Sequence, residues 1–244
     1  SFRGGGLVEV TQALSGTSFV PAAPLADGVY QWRVKALDAA GLESAYSFAD
    51  SFTVDTVAPA APVLAAVASP TRLNRPNLTW GGVGDAASYL VELDTVASFA
   101  SGPGGVPLQS VTTPTAALTP NVLADGTWHW RVKALDRAGN VSEPSAAGSF
   151  VVDTLAPANP VLAAPADDAL LARSAVNFGF GAVEGAAAYL IDYSASVDFA
   201  THERTETTGT SRALTLADGT WFWRVLARDA AGNLSDASAA QARR

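Results

Sequence analysis

The sequence predicts an all-β protein built as a tandem of antiparallel β-sandwiches, and three observations carry that prediction. One segment recurs three times in register, its apolar residues alternate with the period of a strand, and no stretch carries the 3.6-residue period of a helix. The recurring pattern is Leu-Ala-Asp-Gly-x-aromatic-x-Trp-Arg-Val-x-Ala, at Leu25–Ala36, Leu123–Ala134 and Leu216–Ala227. The copies lie 98 and then 93 residues apart. That is the size of a small domain, not of a solenoid turn of about 20–45 residues.

Each copy runs into a turn: Asp38-Ala-Ala-Gly41, Asp136-Arg-Ala-Gly-Asn140 and Asp229-Ala-Ala-Gly-Asn233. Gly and Asn take positive φ at little steric cost, and Asp caps its own turn. Two copies continue through Ser-Phe-x-Val-Asp-Thr-x-Ala-Pro, at Ser51–Pro59 and Ser149–Pro157. These segments read as domain joints and divide the chain into units 1–57, 58–155 and 156–244. Their prolines restrict φ, so the joints are expected to be semi-rigid.

In the middle unit Trp128, Trp130, Val132 and Ala134 fall on one face of a strand and Thr127, His129, Arg131 and Lys133 on the other, which points the apolar set inward. Further strands are expected at 63–67, 77–80, 89–94, 106–111, 115–118 and 148–152, bounded by Gly, Pro, Asn and Asp. Seven short strands without a helix make a sandwich. By alignment of the copies the first unit lacks three leading strands. The third ends before a Ser-Phe-x-Val-Asp-Thr strand, so both ends read as cut from a longer array. A start at Ser1-Phe2-Arg3 and the absence of Met also read as a fragment or processed form.

The Trp of Leu78-Thr79-Trp80, the Tyr of Tyr89-Leu-Val-Glu-Leu and the segment Asp125–Asp136 together resemble fibronectin type III modules of bacterial surface and secreted proteins. The joint Val-Asp-Thr-x-Ala-Pro and the Asp-x-x-Gly-Asn turn are also similar to bacterial Ig-like adhesin repeats. The resemblance spans essentially the whole chain. It departs at Phe180 in place of Trp80 and at Leu42 in place of Asn140 and Asn233. The family's corner Tyr matches Tyr30 but is Trp128 and Trp221 elsewhere, so the resemblance implies a phenolic corner bond in the first unit only.

Composition narrows the function. A net charge of −8 gives no footprint for a phosphate backbone or an anionic membrane, and zero Cys removes disulfides, thiolate nucleophiles and Cys-ligated zinc. No apolar run reaches the roughly eighteen residues of a spanning helix. His129 lies on an outward strand face, where the equivalents are Gln31 and Phe222, and His202 sits in a polar loop with no second His or Cys nearby in sequence. Asp167-Asp168 read as a turn. Gly4–Gly6 and Gly102–Gly105 lack the Gly-Lys-Ser/Thr ending of a phosphate loop. The Trp residues are expected in the core, where each contributes about 2–3 kcal/mol. The outward Arg33, Lys35, Arg131, Lys133 and Arg224 read as a solvated face. Asn77, Asn140 and Asn233 each open an Asn-x-Ser/Thr match that turn chemistry explains for the last two.

No catalytic residues and no cofactor are expected. The one ligand with a physical case is calcium between domains, with Asp38 paired to Asp55 and Asp136 paired to Asp153, and Glu43 and Glu143 as further oxygens. The expected function is a non-catalytic structural or adhesive array, forming an extracellular stalk or a cell-surface filament. Its expected partners are further repeats, neighbouring subunits or a cell-surface or glycan ligand, with no nucleic acid and no membrane insertion. The alternatives are accessory domains of a secreted glycan-active enzyme, or a ligand-binding module using Tyr46 and Phe48.

Overall fold

A computed structural model describes residues 16–21, 23–170 and 175–243. Its strands run in chain order β1 (Gly28–Trp32), β2 (Asp50–Val54), β3 (Leu78–Thr79), β4 (Ser88–Asp94), β5 (Gln109–Thr113), β6 (Ala117–Leu118), β7 (Gly126–Leu135) and β8 (Gly148–Val152). They continue with β9 (Leu162–Ala164), β10 (Ala175–Phe180), β11 (Ala186–Ser194), β12 (Glu203–Thr207), β13 (Ser211–Thr215), β14 (Trp221–Asp229) and β15 (Gln241–Arg243). There is no helix among the described residues. Gly4–Gly6 and the beginning of the first unit lie outside them.

The middle unit is a two-layer sandwich. One layer has the order β5-β4-β7-β8 and the other pairs β3 with β6, all antiparallel. The third unit repeats this as β12-β11-β14-β15 against β13-β10-β9. Burial along β7 alternates as the sequence predicts, with Trp128, Trp130, Val132 and Ala134 inside. These side chains meet Leu78, Trp80, Tyr89, Val91, Leu93, Phe150 and Val152 in one core. A separate core holds Phe178, Phe180, Tyr189, Ile191, Trp223 and Val225. Each sandwich therefore has its own apolar interior, which is what makes it a domain.

The strand expectations need three corrections. Residues 63–67 form only a bridge, Leu64 to Trp80, flanked by Ala65 N–H bonding Thr79 O and Gly81 N–H bonding Val63 O. Residues 106–111 begin their strand only at Gln109, because Pro107 has no N–H to donate and 102–107 form a turn. In that turn a Cβ on Gly102 would stand 2.6 Å from Val106 O, so the position requires glycine. The third unit does have a last strand, β15, which pairs with Trp221–Trp223. The absence of a Ser-Phe-x-Val sequence had concealed it, and Asp167 secures it by accepting the Ala242 N–H at 2.8 Å.

The first unit is different. Its described strands are β1 and β2 alone, paired from Gly28–Val54 to Trp32–Asp50. Trp32 is 50% exposed and Phe52 44%, whereas their equivalents Trp130 and Phe150 are each 1% exposed.

Candidate functional site: the joints between units

The local chemistry of each joint begins with the corner before the long strand. Tyr30 donates its hydroxyl to Ala26 O at 2.9 Å. Trp128 Nε1–H bonds Ala124 O at 2.9 Å and Trp221 Nε1–H bonds Ala217 O at 3.0 Å. The phenolic bond is thus confined to the first unit, as the resemblance implies, while in the other two units an indole N–H makes the equivalent bond. An N–H donor on an aromatic side chain suffices, because the acceptor is a backbone carbonyl four residues earlier.

The Asp of the same corner holds the joint that leaves its own unit. Asp27 Oδ1 accepts from Thr56 N at 3.0 Å and from Thr56 Oγ1 at 2.8 Å. Asp125 Oδ1 does the same for Thr154, at 3.1 and 2.9 Å. Within each joint the Asp side chain caps the next turn, Asp55 for Val57 N–H and Asp153 for Leu155 N–H. Pro59, Pro62 and Pro160 are buried.

The following unit then reaches back. Asn140 donates one Nδ2 hydrogen to Asp136 Oδ2 at 2.8 Å and the other to Asp55 O, in the preceding joint, at 2.9 Å. Asn233 makes the same pair of bonds, to Asp229 Oδ2 at 2.9 Å and to Asp153 O at 2.7 Å. Asp136 Oδ1 also accepts the Gly139 and Asn140 amides, and Asp229 Oδ1 accepts the Asn233 amide. Partial desolvation pushes the Asp136 carboxyl up, but the bonds from Asn140, Gly139 and Ala138 outweigh it and hold the group below its ordinary value. Each turn is therefore a clamp, in which a fixed carboxylate aims an amide at the backbone of the unit before it. In the first unit Asp38 caps Ala40 and Leu42, and Leu42 has no side-chain amide to extend.

Of the expected calcium ligands, the structure links Asp136, through Asn140, to the Asp55 joint, which is one unit earlier than the Asp153 partner the spacing suggested. Asp38 serves its own turn. Among the described residues no three acidic or histidine side chains gather as a metal site.

A serine pair that the sequence reading passed over completes each turn. Ser142 Oγ accepts from Ala134 N at 2.8 Å and donates to Glu143 O, and Ser145 Oγ serves Val132 N and Ala146 O. Ser235 and Ser238 do this for Ala227 and Val225, and Ser44 and Ser47 for Ala36 and Val34. The signal was there as Ser-x-x-Ser after every turn. It explains the Asn-x-Ser matches at 140 and 233: the Asn clamps the joint and the Ser caps a strand. Elsewhere the outward basic residues meet buried acids. Arg131 and Lys133 hold Glu92 at 2.5 and 3.4 Å, while Asp192 holds Arg204 at 2.6 Å and Arg224 at 3.2 Å. His129 is half-buried in its strand, and His202 lies 3.8 Å from Asp192.

No family model matches the chain, and no curated protein sequence does. Solved structures do. The FN1–FN3 domains of chicken CNTN1 superpose with a TM-score of 0.52 at 15% identity, over 87% of this chain and 76% of that one. Fibronectin(III)-like modules of Clostridium thermocellum CbhA align with a TM-score of 0.48 at 16% identity, over 75% of this chain and 92% of theirs. The fold is that of tandem fibronectin type III-like β-sandwiches.

Proposed function

We propose that this chain is a structural spacer, a non-catalytic array of sandwich domains whose joints hold successive units in a fixed orientation. The reading extends to an extracellular stalk or surface-filament component. The observation that carries it is the repeated clamp, Asn140 on Asp55 O and Asn233 on Asp153 O, with Thr56 and Thr154 tied back to their own units. A string of independent modules needs no such bonds. A spacer does, because each bond removes freedom from a joint that prolines already restrict.

Small-angle scattering tests this directly. A compact globule of this length has a radius of gyration of about 18 Å. The spacer requires a value well above that and a scattering profile that stays constant with salt. A value near the globular one would refute it.

A further inference from the structure

In the middle and third units the segment that enters the sandwich is fastened to the strand that leaves it. The entering segment of the middle unit first meets the facing layer, where Ala65 N–H bonds Thr79 O and Gly81 N–H bonds Val63 O. It then crosses to the outer edge of β8 and grips one residue there by both backbone groups. Val151 N–H bonds Ser69 Oγ at 3.0 Å, and Val151 O accepts the Thr71 N–H at 2.8 Å. Asp153, just past the strand, adds its N–H to Thr71 O at 2.9 Å. In the third unit Ala242 of β15 is gripped in the same two ways. Its N–H bonds Asp167 Oδ1 at 2.8 Å and its carbonyl accepts the Asp168 N–H at 2.9 Å. A hydroxyl in one unit and a carboxylate in the other thus stand in for a backbone acceptor.

The direction of the pairing gives these bonds a mechanical consequence. Thr71 and Val152 form the one parallel pairing among the described residues, and every other strand pair and bridge is antiparallel. In an antiparallel pair the entering end and the leaving end lie side by side, so a pull on both opens the bonds one after another. In a parallel pair those ends lie at opposite extremes. Tension through the joints then slides the two segments past each other, and the three bonds from Ser69 and Thr71 stand across the load and share it.

We propose that these clips set the force at which each sandwich opens when the array is pulled end to end. Ser69 and Thr71 hold the middle unit, and Asp167 and Asp168 hold the third. The inference deepens the spacer reading and rests on it, since only an array that spans two attachments is loaded in this way. Forced unfolding follows the unfolding rate, so a bond that must break first counts for more under tension than its share of the equilibrium stability. Ser69 and Asp167 are both exposed, so neither is needed to fill a core.

Single-molecule force spectroscopy on the full 244-residue chain, tethered at its two ends, is the test. Ser69→Ala should raise the unfolding rate of one unit under load about fivefold, the kinetic equivalent of one net hydrogen bond. Asp167→Ala should do the same to a different unfolding event, each variant leaving the other's event unchanged. Ser142→Ala is the comparison, because it removes a buried cap from β7, a strand that neither joint pulls directly. It should lower the urea midpoint more than Ser69→Ala does and change the unfolding rate under load less. Equal rates for Ser69→Ala and the unaltered protein, or rates that simply follow the urea midpoints across the three variants, overturn the clip. An elongated particle in scattering whose unfolding force ignores Ser69→Ala discards the clip and keeps the spacer. A globular particle whose force still falls with Ser69→Ala keeps the clip and discards the spacer.

Discussion

Asn233 donates a side-chain hydrogen bond to the backbone carbonyl of Asp153, 2.7 Å away and 80 residues earlier in the chain. The bond crosses a domain boundary, and its direction is set by Asp229, which holds the other hydrogen of the same amide. Replacing Asn233 by Leu, the residue that stands at the equivalent position 42, should leave the turn folded. The third unit should lose about 2–4 kcal/mol, because the substitution removes both the neutral bond to Asp153 O and the bond to the Asp229 carboxylate. Chemical denaturation followed at Trp223 measures the change, and Asn140→Leu should act likewise on the middle unit.

The long strand of the middle unit supplies a contrast between two neighbouring residues. Trp130 is fully buried and His129 is half-buried on the opposite face. Trp130→Ala should cost about 3–5 kcal/mol, and His129→Ala should stay within about 0.5 kcal/mol. Equilibrium unfolding in urea checks both, and equal effects would reverse the faces.

Ser142 is buried and caps Ala134 N–H inside the core. Ser142→Ala leaves that amide without its acceptor, at a cost of about 1–3 kcal/mol. Ser44, which makes the same bond in an exposed setting, should tolerate the change with little loss, because water can replace the hydroxyl. Thermal melts of the two variants compare them.

Asp192 predicts how the third unit responds to acid. Burial pushes its carboxyl up, but the bonds and charges of Arg204 and Arg224, with His202 nearby, outweigh it and hold the group below its ordinary value. A carboxyl depressed by folding stabilises the native state above its unfolded pKa of about 3.9 and loses that contribution as pH falls through the lower folded value. The third unit should therefore lose stability as pH drops below about 4, and Asp192→Asn should flatten that dependence while lowering stability at neutral pH. Loss of dispersed NMR signals from β11 and β14 during an acid titration is the readout.

The fold was legible because its signals are local and repeated. Three copies of one strand fixed the unit length, and the alternation through Trp128 and Trp130 fixed the inward face. The clamp was only half legible. Asp136 and Asn140 stood out as turn residues, but sequence spacing placed Asp136 with the joint of its own unit, whereas the turn meets the joint before it. Nothing in a strand pattern says which end of a sandwich a turn occupies. The last strand of the third unit was missed for a related reason: Gln241-Ala-Arg243 has no strand composition, and its pairing comes from β14 and Asp167. The serine caps were visible as a spacing yet carried no hydrophobic signal.

The clamps' control of orientation is tested most directly by pulsed electron-electron resonance between nitroxides in the middle and third units. The chain has no cysteine, so Thr112→Cys and Thr208→Cys, both at exposed positions, would take the labels alone. With Asn233 in place the distance distribution should be narrow, and with Asn233→Leu it should broaden. A distribution as broad with the asparagine as without it would contradict the claim that these joints hold their units in register.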